Sequence, residues 1–157
     1  MTTEEQIERT PGADREQLVA AVDRYLLLCE QRDLDAARES LAPGAVMTFP
    51  GGFQYTVLED MVADANRLYR WVRKHRTHYD VFRDDNGDDV VVSRGTLDGE
   101  SLSGRQFTGV RYQDRFVFRN GRIVDQQVWN DLAASGVLEA YPHLVARHAG
   151  EPGTPTS

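Results

Sequence analysis

An aspartate stands in this sequence where a carboxylate is expensive. From Val110 to Phe118 the residues alternate in character. In an extended strand Val110, Tyr112, Asp114, Phe116 and Phe118 share one face, and Arg111, Gln113, Arg115 and Val117 share the other. The first set is apolar except for Asp114 and must look into a core. A carboxylate there has to be paired, hydrogen-bonded or protonated. Two readings stay open. Asp114 is either an acid satisfied by a backbone amide or one of the many arginines, or an acid of raised pKa in the wall of a pocket.

Tyr25 is the second candidate. Leu18, Val22, Tyr25, Leu26 and Cys29 recur at helical spacing and form one apolar stripe. Its hydroxyl belongs either to the edge of the core or to the same pocket as Asp114. Other constellations are weaker. His75-x-x-His78 straddles an element boundary and lacks a third ligand at a standard spacing, so no metal is expected. Gly99 to Gly104 does not match a nucleophile elbow, and no glycine-rich phosphate loop is present, so no cofactor is expected.

The elements that must position these residues can be read from caps, periods and turns. Asp14 with Gln17 resembles a capping box opening the first helix. Asp33 caps a short second helix, ended by Pro43-Gly44, and Ala45 to Phe49 is a short strand. Thr56 with Glu59 opens a third helix carrying Met61, Val62, Ala65, Leu68, Tyr69 and Val72. Its basic end, Arg67 to Arg76, reads as a solvated face complementing the helix dipole. The period then becomes alternating. Strands are expected at 77–83, 90–97, 105–118 and 122–130, with hairpin turns at Asn86-Gly87 and Asn120-Gly121 and a loop from Asp98-Gly99. Asp131 caps a short helix to Ala146, interrupted at Gly136 and Pro142. Helices followed by antiparallel strands define an α+β domain. The expected boundaries are a tail over 1–13, one domain over 14–148 and a tail over 149–157.

Composition narrows the classes. The chain has 157 residues, 40% hydrophobic and 27% charged, which suits one ordinary globular domain. A net charge of −7 argues against nucleic acid as a partner. No apolar run spans a bilayer and the start lacks a signal-peptide pattern, so the expectation is a cytoplasmic protein with no membrane partner. The one cysteine, Cys29, forms no intrachain disulfide and reads as a small buried hydrophobe.

Arg24-Tyr25, Asp33-Leu34-Asp35, Leu41, Ala45 and Pro50 resemble the opening of ketosteroid isomerases, as does Asp114-x-Phe116-x-Phe118. Those enzymes belong to the NTF2-like superfamily, together with SnoaL-like polyketide cyclases. The resemblance covers about residues 14–135 and implies an NTF2-like cone, a curved antiparallel sheet packed around three N-terminal helices. It implies that Tyr25 and a protonated Asp114 donate hydrogen bonds to a developing oxyanion. It places Phe49 where the isomerases carry their general base, and phenylalanine accepts no proton. It turns Val124, Gln126, Val128 and Asn130 inward, with Asn130 as a further catalytic candidate. Phe49, Met61, Leu68 and Val128 are expected to contact the substrate, as are Tyr112, Phe116 and Gln126. Trp129 on the outer face would anchor a homodimer.

The function these readings imply is acid–base chemistry (isomerisation, cyclisation or dehydration, in isomerase, lyase or polyketide cyclase manner) on a compact apolar carbonyl compound. The alternatives are a ligand-binding module without turnover, or a dimeric interaction module whose pocket Phe49, Phe53, Phe116 and Phe118 fill. The enzyme reading predicts that Asp114→Asn or Tyr25→Phe abolishes turnover while circular dichroism shows an intact fold. Full turnover in both variants would overturn it.

Overall fold

The computed structural model describes residues 12–138. Residues 1–11 and 139–157, which hold most of both expected tails and the far part of the expected C-terminal helix, lie outside the described residues. The chain runs α1 (Gly12–Glu30), α2 (Leu34–Arg38), β1 (Leu41–Phe49), β2 (Phe53–Tyr55), α3 (Leu58–Ala65), β3 (Tyr69–Arg83), β4 (Asp89–Ser101), β5 (Gln106–Arg119) and β6 (Arg122–Asn130). The result is α+β: helices in the N-terminal half against one curved six-stranded sheet of order β2-β1-β6-β5-β4-β3. All neighbours are antiparallel except β1 and β6, which run parallel.

Several local signals act as read. Asp33 caps α2 by accepting from the Ala36 amide at 3.3 Å. Asn120 and Gly121 both have positive φ, 52° and 76°, which is what a two-residue hairpin turn requires. On β5 Val110, Tyr112, Asp114, Phe116 and Phe118 are all buried. Phe116 and Phe118 join Val22, Tyr25 and Leu26 of α1 and Met47 of β1 in the main core. Burying such side chains stabilises the fold by roughly 1.5–3 kcal/mol each.

Other expectations fail. Asp14 lies inside the first turn of α1 and does not precede it. The N-cap of α3 is Val57, without a side-chain bond, and Thr56 is not the cap. β1 runs through Pro43-Gly44, its pairing with β6 slipping between Leu41 and Val46. The Asp98-Gly99 pair sits within β4 at an irregularity in the ladder. From Asp131 to Leu138 the chain forms turns, and Asp131 caps no helix; it pairs with Arg111 at 2.7 Å.

The largest correction concerns residues 66–76. The third helix ends at Ala65, and Tyr69 to Arg83 is a continuous strand paired along β4. Its half-buried positions are Tyr69, Val72, Lys74, Arg76, Tyr79 and Val81, a period of two broken twice, at the Tyr69/Trp71 and Arg76/His78 irregularities. The basic run is therefore not a solvated helix face, for two of its cations point inward. They have acidic partners waiting. Arg76 meets Asp23 at 2.9 Å and Glu30 at 3.3 Å, both on α1. The Lys74 amide donates to Glu30 Oε1 at 2.9 Å. α1 thus docks on β3 through ion pairs as well as through the apolar core that Tyr79 and Val81 join.

Gly95 lets β3 approach. A Cβ there would stand 1.9 Å from the His75 carbonyl oxygen, a backbone atom that cannot swing aside. Gly95→Ala is expected to destabilise the protein by about 1–3 kcal/mol through forced displacement of β3. Urea unfolding of the variant checks this; an unchanged midpoint would contradict the close approach.

Candidate active site

A cavity of about 140 Å³ opens between α1, α3 and the sheet. A dry cavity of that size class accepts a single aromatic ring. Its wall is mostly apolar and includes Phe49, Met61, Leu68 and Val128. The turn after β6 closes one side with Leu132, Ala133 and Leu138. Three polar arrangements break this surface.

The first joins α1 to the last strand. The Tyr25 hydroxyl donates to Gln126 Oε1 at 2.9 Å and lies 3.5 Å from Met47 Sδ. The parallel β1–β6 pairing sets Met47 opposite Gln126, so both reach Tyr25 from the sheet. Burial pushes the Tyr25 phenol well above its ordinary range, and neighbouring Cys29 and the Asp114 charge add to this. Gln126 accepts through oxygen, which leaves its amide N–H groups as the donors of the pair.

The second is Tyr55 with Asp64. Tyr55 ends β2, Asp64 lies on α3, and the phenol donates to Asp64 Oδ2 at 2.6 Å. Both line the cavity, and Asp64 is only 7% exposed. Glu30, the other carboxylate in the wall, is committed to the Lys74 amide and Arg76.

The third is Lys74 with Asp114. Asp114 is fully buried on β5, and Lys74 reaches it from β3 across β4 to form an ion pair with Oδ2. The ammonium also lies 4.8 Å from the centre of the Tyr112 ring. Lys74 lines the cavity; Asp114 does not, nor do Phe116, which packs in the main core, and Tyr112, which borders a separate cleft. Burial pushes the Asp114 carboxyl above its ordinary value, and the Lys74 charge and hydrogen bond oppose this only in part. Asp114 Oδ1 is buried without a hydrogen-bond partner among the described residues. An unsatisfied buried acceptor costs about 1–3 kcal/mol.

Of the candidates read from sequence, the cavity wall gathers Tyr25, Gln126, Asn130, Phe49, Met61, Leu68 and Val128. Asn130 Oδ1 accepts from the Leu132 amide at 3.1 Å, which ties the closing turn to β6. The shared point between Tyr25 and Asp114 is not formed: Tyr25 bonds Gln126, and Lys74 takes Asp114. Sequence reasoning missed Lys74, Asp64 and Tyr55. Lys74 carried a signal, since it alternates with Val72 and Arg76 on one strand face. Asp64 carried one too, spaced three residues from Met61 on the helix stripe.

Comparison with known proteins places this architecture in the NTF2-like superfamily. The model of the SnoaL-like domain matches residues 22–126. The chain belongs to that family. Among solved structures, TerC co-crystallized with polyporic acid aligns at TM-score 0.65 and 17% identity, covering 78% of this chain and 97% of that one. An NTF2-like protein of unknown function from Burkholderia pseudomallei aligns at 0.65 and 19%, covering 79% and 98%. A protein from Jannaschia sp. CCS1, named for its likeness to SnoaL-like polyketide cyclases, aligns at 0.60 and 21%, covering 80% and 93%. At these identities the likeness carries the fold alone. No protein of curated function matches the sequence.

Stripping Lys74 from buried Asp114 is expected to be costly. Lys74→Ala should destabilise the protein by about 3–5 kcal/mol, because it leaves a charge without a partner. The double variant Lys74→Met/Asp114→Leu should recover most of that loss. Thermal unfolding of the two variants tests the pair; equal losses in both would argue that packing alone is at stake.

Proposed function

We propose that this SnoaL-like chain is an acid–base enzyme acting on a compact, mostly apolar carbonyl compound, in the manner of an isomerase, cyclase or dehydratase. One observation carries the reading. An apolar cavity holds, on separate elements, a buried carboxylate bonded to a phenol and an ammonium backed by a second carboxylate. Apolar walls with a few convergent polar groups are what small-molecule sites look like.

The roles follow from the chemistry of each group. Asp64 accepts a proton from the carbon beside the carbonyl, and the Tyr55 hydroxyl holds it in place. This supplies the base that Phe49 cannot. Lys74 and the Gln126 amide face the carbonyl oxygen and stabilise the negative charge that grows there. Asp114 acts through Lys74, fixing the ammonium and not touching substrate. Tyr25 likewise acts through Gln126. A homodimer through the outer face, with exposed Trp129 as its anchor, remains part of this proposal. The interaction-module alternative needs a pocket filled by four phenylalanines. It loses support, because Phe116 and Phe118 pack in the core while Phe49 and Phe53 border open space.

The test uses acetophenone, a ketone with a single aromatic ring, in deuterium oxide. The protein should accelerate exchange of its α-protons, followed by NMR, and Asp64→Asn should reduce this by about 10²–10⁴-fold with an unchanged melting curve. Tyr55→Phe should give a smaller loss. Exchange no faster with protein than with buffer would sink the proposal.

A further inference from the structure

Seventeen of the eighteen basic residues of this chain are arginine, and Lys74 is the one lysine. Among the described residues two basic side chains line the cavity, Arg32 and Lys74, and Lys74 is the one paired with a fully buried carboxylate. As a structural counter-ion, arginine would serve Asp114 better. A guanidinium fork binds both carboxylate oxygens, whereas one ammonium here leaves Oδ1 without a partner. What lysine has and arginine lacks is a nitrogen that can give up its proton and become a nucleophile.

We propose that Lys74 captures the carbonyl carbon of a compact aromatic or cyclic aldehyde or ketone as an imine. The proposal deepens the acid–base reading and rests on it for the carbonyl class of the ligand. The step balances within the site. Lys74 passes a proton to Asp114, and Nζ attacks the carbonyl carbon, forming the C–N bond as the C=O π pair moves to oxygen. The carbinolamine nitrogen loses a proton and its oxygen gains one. The C–O bond breaks, water leaves, and an iminium remains. Overall one ammonium and one carbonyl give one iminium and one water, with no redox partner. Asp114 holds the proton taken from Nζ, a water molecule in the cavity carries it to the departing oxygen, and the carboxylate then stays behind the iminium as its counter-ion, out of contact with the substrate. Its raised proton affinity suits that relay.

The surroundings fit the step. Glu30 pins the Lys74 backbone amide at 2.9 Å, so the side chain starts from a fixed point. The Tyr112 ring, 4.8 Å from Nζ, offers a face to either cation in turn. The lysine side chain is 16% exposed, open to the cavity and shielded from bulk water, which favours loss of water from the carbinolamine. Cys29 also lines the cavity, but burial pushes its thiol up to about 11, so it competes poorly.

The singular lysine makes the test clean. The full chain is incubated with benzaldehyde and sodium cyanoborohydride, which reduces an imine to a stable benzylamine. Intact mass and peptide mapping locate the label. The expected result is one benzyl group on Lys74, formed at least about tenfold faster than on Nα-acetyl-lysine under the same conditions. Lys74→Arg, which keeps the charge and the ion pair, should lose the label with little change in melting temperature. Saturation-transfer NMR on the wild-type protein reports whether benzaldehyde occupies the cavity. Occupancy without accelerated labelling of Lys74, or with label only at the chain's α-amine, overturns the imine and leaves the acid–base reading standing. Failure of benzaldehyde to enter the cavity overturns both.

Discussion

A carboxylate cut off from water must be answered from within the fold, and the answer to Asp114 organises half of this molecule. Its partner comes from β3, two strands away, so β3 must lie over β4 closely enough for Lys74 to reach. That closeness requires a residue without a side chain at Gly95. It also turns Arg76 inward beside Lys74, and Arg76 in turn demands Asp23 and Glu30 on α1. The helix is thereby seated with Tyr25 over β6 and within reach of Gln126. One buried charge thus propagates through a chain of local necessities to the cavity wall. Such a pair is weak evidence for stability, because desolvation offsets most of the Coulomb gain. Its value lies in the ammonium it fixes at the cavity surface.

The cavity has a consistent design. Three polar groups of its wall are each held by a second group from another element. Asp114 holds Lys74, Tyr25 holds the oxygen of Gln126, and Tyr55 holds Asp64. Members of a pair come from different elements, so the site is specified by the tertiary fold and by no single stretch of sequence. This is the arrangement that preorganised donors need, since their orientation is settled before a ligand arrives.

What was legible in the sequence is what depends on neighbours along the chain. The alternation on β5, the Asn-Gly turns and the Asp33 cap are local, and they appear where expected. β3 was misread for a physical reason. A strand is recognised by apolar residues at every second position, and here two of those positions are Lys74 and Arg76. Charges that face a core look like charges that face water until their partners are known. Asp114 was recognised as costly, but its partner was sought among the arginines and on α1. Asp64 escaped because a carboxylate on a short helix has a bland reading as surface. Both omissions concern pairing between distant elements, which one sequence does not display.

The parallel pairing of β1 with β6 has a temporal consequence. Tyr25 and Gln126 are 101 residues apart, and β1 has no antiparallel hairpin partner except the three-residue β2. The hairpins β3–β4 and β4–β5 are local and can form as the chain emerges. The N-terminal helices must instead wait, with apolar faces uncovered, for the last strand to arrive. Large loop closures of this kind slow folding and lengthen the exposure of unpaired edges. The same pairing that helps enclose the cavity therefore makes it depend on contacts between the two ends of the described chain, which the β3–β4 and β4–β5 hairpins do not need.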